Sequence, residues 1–160
     1  MERGGTCDLI DVYDPERDWG PDHSIICASR RRAGKSVLAQ HLLARVHHQW
    51  DAGILLFSNT HDGWPGIAPN RRMAFSDAAI GLVIKRQEAL LQRNMKLPRA
   101  ERRPENLLVI LDDVVDSKEM SSSPNLTALF VRGRHLKIGV LYLTQHFTAR
   151  GTTMQRRNCD

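Results

Sequence analysis

The chain has 160 residues, 41% of them hydrophobic, enough for one domain with a buried core. Its formal net charge is +5, and arginine supplies 18 of the 23 basic residues, a balance suited to a polyanion such as nucleotide or nucleic acid. Cys7, Cys27 and Cys159 form no CxxC pair, and no apolar run approaches the ~20 residues that cross a bilayer, which argues against a zinc knuckle, a disulfide framework and a membrane span.

The first twenty residues also lack the apolar centre of a secretory signal, so an intracellular, reducing setting is expected. Residues 1–23 read as an N-terminal segment and residues 24–160 as one core. Ser24–Ala28, "SIICA", is a short apolar run and reads as a buried strand. After it Leu38, Leu42, Val46 and Trp50 recur every four residues, predicting a helix with one apolar stripe. "GILLFS" from Gly53 is a second strand, and residues 59–72, rich in Gly, Pro and Asn, predict a loop. Asp77 is the expected N-cap of a helix running to about Met95. "LPRAERRPEN" is a charged connector, "LLVILD" from Leu107 a third strand, and "SKEMSSSPN" a polar loop. A helix over residues 125–135 and a fourth strand, Ile138–Thr144, follow. Alternating strands and helices with continuously apolar strands predict an α/β fold: a mainly parallel sheet covered by helices on both faces.

The segment joining the first strand to the first helix, "SRRRAGKS", has the spacing of the phosphate-binding loop G-x-x-x-x-G-K-[ST], with Ser29 in place of the first glycine. Such a loop needs inward backbone N–H groups, a lysine and a hydroxyl, and a helix N-terminus whose dipole favours anions. The expected nucleotide-contacting residues are therefore Ser29, Arg30, Arg31, Arg32, Ala33, Gly34, Lys35, Ser36 and Val37. Lys35 would hold the terminal phosphates and Ser36 would ligate Mg²⁺. Serine at 29 should make the tight turn at some cost. The strand "LLVILDD" ends in two acids, at the carboxyl end where open parallel sheets bind ligands. Asp112 is the candidate to take magnesium through water. Asp113 is the candidate to orient or deprotonate an attacking water. Gln145 follows the fourth strand and would sense the γ-phosphate if that strand lies between the other two; the alternative is a merely hydrophilic strand end.

"ASRRRAGKS", "LLVILDD" and "LFVRGRHLKIGVLYLTQH" together resemble the genome-packaging ATPases of large eukaryotic DNA viruses, the vaccinia type, within the FtsK/HerA-type DNA pumps. The resemblance runs from about Ser24 to the end. It implies a RecA/ASCE-like P-loop NTPase core in which the Gln145 strand lies between those of Lys35 and Asp112. It also implies ATP and Mg²⁺, a ring of identical subunits, double-stranded DNA as the moved substrate and a capsid component as partner, in the virion or in the cytoplasm or nucleus of an infected cell. Many related pumps carry glutamate where Asp113 falls. Relatives continue into a further strand after a segment like "MQRRNCD", so the last strand is expected to be either absent from a fragment or dispensable.

Arg132 and Arg134, near the end of the helix before the Gln145 strand, are candidates to reach a neighbouring subunit's phosphate site; offsetting the helix dipole is the alternative. Arg30–Arg32 are read as phosphate or inter-subunit contacts, or as a solvated loop. "RAERRPEN" is read as a solvated turn, with a DNA contact as the alternative. Trp64 is read as a loop anchor, with a DNA or neighbour contact as the alternative. A GTPase would want an N-K-x-D motif, and none occurs. A small nucleotide kinase and a nucleotide-binding structural subunit without turnover remain as competing functions.

Overall fold

The computed structural model describes residues 13–58, 63–114 and 123–145. A short helix α1 (Pro15–Asp18) leads into β1 (Ser24–Ala28), α2 (Lys35–Val46), β2 (Gly53–Ser58) and a two-residue strand β3 (Arg72–Met73). Then come α3 (Asp77–Met95), β4 (Leu107–Asp112), α4 (Pro124–Arg132) and β5 (Ile138–Thr144). The sheet order is β1-β5-β4-β2-β3, and every pairing is parallel. The strand preceding Gln145 therefore lies between the strand of the phosphate loop and that of Asp112, as the resemblance implied.

All six residues of β4 and all seven of β5 are buried, as expected for central parallel strands covered on both sides. Side chains alternate across the sheet with period two and split the core in two. Leu55, Phe57, Val109, Leu111, Val140 and Tyr142 pack with Ile80, Val83, Ile84, Leu126, Leu129 and Phe130 of α3 and α4. On the other face Leu56, Leu108, Ile110, Leu141 and Leu143 pack with Ala39, Leu43 and Val46 of α2 and with Trp19, Trp50 and Trp64.

Several local readings need correction. The buried stripe of α2 is Ala39, Leu43 and Val46, continued by Trp50 after a 3-10 turn, whereas Leu38 is half exposed. A strict four-residue step drifts around a helix of 3.6 residues per turn, so the buried positions fall at steps of four and three. The N-cap of α3 is Ser76, whose side chain accepts from Ala79 N–H. Asp77 instead reaches the start of α4, accepting from the Ser123 hydroxyl, from Asn125 N–H at 3.0 Å and from Asn125 Nδ2 at 2.6 Å. The last predicted helix begins at Pro124, capped by Ser123, and gives way after Arg132 to a 3-10 turn over Arg134–Leu136. Gly133 is the C-cap of this helix with φ −51°, and Lys137, at φ 54°, makes the left-handed turn beyond it. Glycine is needed at 133 for space, since a Cβ there would lie 2.4 Å from the Leu129 carbonyl oxygen.

The region read as loop over 59–72 holds a 3-10 turn, Pro69–Arg71, and the first residue of β3. Residues 59–62 of it, most of "SKEMSSSPN", the first twelve residues and everything after Gln145 lie outside the described residues.

Candidate functional site

β1, β4 and β5 are adjacent and parallel, so their carboxyl ends open on one edge of the sheet. A cavity of about 400 Å³ lies there, lined by Arg31, Arg32, Ala33, Gly34, Lys35, Ser36, Val37, Asp112, Asp113 and Gln145. Three segments far apart in the chain thus converge on one space. Ser29 and Arg30 belong to the same loop but do not line the cavity.

The loop is pinned to the sheet where Ser29 N–H donates to the Thr144 carbonyl at 3.2 Å. Ser29 is not among the residues with positive φ, so serine meets no left-handed strain there. That strain falls further along, on Arg32 at φ 62° and Gly34 at φ 83°. Glycine answers it at 34, whereas an arginine in this region is disfavoured by roughly 1–2 kcal/mol. A Cβ on Gly34 would meet nothing within 4 Å, so in the free loop the backbone angle, rather than space, demands glycine. Arg30, Arg31 and Arg32 are all exposed.

Lys35 Nζ donates to the carbonyls of Ser29 at 3.0 Å and Arg30 at 3.4 Å, folding the ammonium across its own loop. An ammonium has three donors, so both bonds can coexist with one to a phosphate. No acid occupies the first turn of α2, which leaves the positive end of its dipole for an anion. Below the loop, burial pushes the Cys27 thiol up, against the opposing pull of Lys35.

The Ser36 hydroxyl donates to Asp112 Oδ2 at 3.2 Å across 76 residues of sequence. A hydroxyl and a carboxylate side by side are hard oxygen donors suited to Mg²⁺, which takes few protein ligands and completes its shell with water and phosphate oxygens. No cluster of three or more His, Cys, Asp or Glu suited to a metal occurs among the described residues, so a cation here would need that kind of shell. Asp112 Oδ2 also accepts from the Trp64 indole N–H at 2.8 Å. Trp64, 2% exposed, is thus anchored on the site's own carboxylate. No local signal in the sequence marks this contact, because 48 residues separate the partners.

Asp113 lies one residue beyond β4 with φ 53°, a left-handed conformation that aspartate tolerates better than most residues. This gives a physical reason for aspartate at this position. Its Oδ1 accepts from Gln145 Nε2 at 2.7 Å.

Arg132 and Arg134 are not brought to the cavity. They end α4 and precede β5, and so lie at the amino end of the strands, opposite the site. Seven residues of β5, about 23 Å at 3.3 Å each, intervene. Arg132 pairs with Glu88 at 2.8 Å and Arg134 with Asp22 at 3.5 Å, both on the surface. In the connector Arg102 donates to the carbonyls of Met95 and Leu97 and so caps the end of α3. No helix among the described residues is long and apolar enough to cross a membrane.

No family model matches the sequence, and no curated protein matches it. Among solved structures, the pCW3 conjugation coupling protein TcpA, in its monomer form with ATPγS, is similar with a TM-score of 0.57 at 16% identity, over 86% of this chain and 47% of that one. The cytoplasmic domain of the Thermomonospora curvata Type VII secretion ATPase EccC is similar with a TM-score of 0.56 at 18% identity, over 88% of this chain and 20% of that one. The chain therefore spans about half of the first and a fifth of the second. Its five-stranded parallel sheet, with a phosphate-loop segment at the carboxyl end of β1, is an α/β fold of the P-loop NTPase kind.

Proposed function

We propose that this chain is an ATP-hydrolysing motor of the FtsK/HerA type that moves double-stranded DNA, and specifically a viral genome-packaging ATPase acting as a ring inside the infected cell or virion. The observation that carries the ATPase reading is the single cavity that gathers Lys35, Ser36, Asp112, Asp113 and Gln145. The fold shared with a coupling protein holding ATPγS and with a secretion ATPase supports it. The packaging role and the capsid partner rest on the sequence resemblance, and DNA as the substrate rests on it together with the +5 charge.

In this reading the loop amides and the α2 N-terminus bind the phosphates, and Lys35 neutralises the terminal ones. Ser36 and Asp112 would hold Mg²⁺, which when bound offsets charge on the β- and γ-oxygens. Asp113 accepts the proton of the water that attacks the γ-phosphorus as the bond to the β-bridging oxygen breaks. Gln145 holds that carboxylate until a γ-phosphate competes for its amide. Arg134 lies far from its own cavity, so a role in phosphoryl transfer would be played on a neighbour's site, while its pair with Asp22 fits a purely structural role. Mixed rings of Arg134→Ala and Lys35→Ala subunits, each inactive alone, should then recover activity; mixed rings without recovery would remove that role.

The experiment is ATP turnover measured with and without double-stranded DNA at two salt concentrations. DNA-stimulated turnover that weakens steeply with salt supports the motor, because phosphate contacts dominate binding without base readout. Phosphate transfer to a nucleoside monophosphate would make the chain a kinase. ATP binding without turnover would make it a structural subunit, a reading favoured by the engagement of Asp113 with Gln145.

A further inference from the structure

We propose that Trp64 is a positioning residue of the phosphate site, its indole N–H setting the orientation of the Asp112 carboxylate. The inference rests on the ATPase reading above and adds to it a residue from outside the phosphate loop and the β4 and β5 ends.

The geometry carries it. Trp64 Nε1 and Ser36 Oγ donate to the same oxygen, Asp112 Oδ2, at 2.8 and 3.2 Å. Both ends of the indole contact are sheltered, Trp64 being 2% and Asp112 9% exposed. A buried indole N–H usually finds an acceptor, although that of Trp19 in the same core has none among the described residues, and a backbone carbonyl would serve. Trp50 shows that solution in the same core, donating to the Pro21 carbonyl at 2.9 Å. Trp64 uses the carboxylate of the site instead.

The chemistry suits a positioning role. The indole N–H is a donor only and carries no charge. It can fix the rotamer of a carboxylate without neutralising it, whereas a lysine or arginine would compete with a cation. The Ser36 hydroxyl has one proton and two lone pairs, so it can donate to Asp112 while an oxygen lone pair faces a metal. Trp64 then keeps Asp112 in place when Ser36 is drawn toward a ligand.

The tryptophan is itself held from three sides. Arg72 Nη2 donates to the Trp64 carbonyl at 2.7 Å, and Ile67 N–H donates to it at 3.1 Å. Gln40, one turn along α2 from Ser36, donates through Nε2 to the Gly63 carbonyl. The helix that starts with Lys35 and Ser36 therefore also carries the loop that presents Trp64.

The test uses Trp64→Phe, which keeps an aromatic ring, removes the donor and loses less volume than alanine, which would further enlarge the adjoining cavity of about 660 Å³. Turnover of ATP should fall about tenfold or more, and the Mg²⁺ concentration for half-maximal rate should rise several-fold, with the melting temperature within a few degrees of wild type. A wild-type Mg²⁺ dependence and rate in the folded variant would overturn the proposal. A second measurement needs neither turnover nor that variant. In ¹⁵N-labelled protein the three tryptophans give three indole N–H signals. Asp112→Asn should move one of them strongly and leave the others, and in wild type adding Mg²⁺ with ADP should move that same signal. If no indole signal responds to Asp112→Asn, the contact is not made and the proposal fails. If the signal responds but the wild-type chain hydrolyses no ATP, the ATPase reading fails while the Trp64–Asp112 contact stands.

Discussion

The two ends of the parallel sheet are built on different terms. At the carboxyl end, polar side chains from distant parts of the chain bond to one another: Ser36 and Trp64 on Asp112, and Gln145 on Asp113. At the amino end, Trp50 bonds to the Pro21 carbonyl, Lys137 Nζ to the Pro104 carbonyl, and Arg132 and Arg134 pair with surface acids. Close backbone approach marks that end too: a Cβ on Gly139 would lie 2.6 Å from the Pro21 oxygen. The first arrangement can exchange partners when a ligand arrives. The second mainly holds the fold, because carbonyl acceptors and tight packing offer a ligand nothing to displace. Substitutions at the first end should therefore change chemistry at nearly constant stability, and those at the second, the proposed neighbour-reaching Arg134 aside, should do the reverse.

Lys35→Ala should have the largest effect. Loss of the ammonium beside the loop carbonyls should abolish ATP binding and lower turnover on the order of 10³-fold, with little change in melting temperature. Calorimetric titration with ATP checks it. Asp113→Asn should come next, lowering kcat by about 10²–10⁴-fold with ATP affinity nearly unchanged. Asparagine tolerates the left-handed backbone at 113, so the variant isolates the loss of a proton acceptor. Wild-type turnover in this variant would remove the assignment of Asp113 as base.

At the amino end Gly133→Ala should destabilise the fold by about 1–3 kcal/mol, through the clash with the Leu129 carbonyl, while activity per folded molecule stays the same. Thermal unfolding with a parallel ATPase assay would show whether the division holds.

Asp77 tests whether the carboxyl end also has purely structural groups. Its carboxyl is held below the usual range, chiefly by the Ser123 hydroxyl, with burial opposing and Asn125 assisting. A carboxyl with a depressed folded pKa stabilises the fold above its unfolded value of about 3.9, and that contribution is lost as pH falls through the folded value. Asp77→Asn should thus lower the melting temperature by a few degrees at pH 7, and the gap from wild type should close in strong acid. Arg132→Ala should do least, within about 1 kcal/mol, because its pair with Glu88 is exposed.

Much of the frame was legible in residue order. β1, β2, β4 and β5 fall at the residues read as strands, and the unbroken apolar runs of β4 and β5 report burial on both faces; β1, at the sheet edge, is not the buried strand expected, since only its Ser24 is buried. α3 ends where predicted, but it starts one residue early because its cap is Ser76: Ser76 and Asp77 are both good caps, and only the contact with Ser123 and Asn125 draws Asp77 away. The loop spacing from Ser29 to Ser36 and the acids ending β4 were likewise readable, since each is local. Tertiary structure decided what lies between distant segments. Strand order set Gln145 against Asp113, and the direction of α4 carried Arg132 and Arg134 to the far end of the sheet. Folding of the loop after β2 brought the Trp64 indole onto Asp112. Periodicity and spacing report what one segment buries or presents. Which segment it meets depends on pairing order and on hydrogen bonds that close only once the sheet has formed.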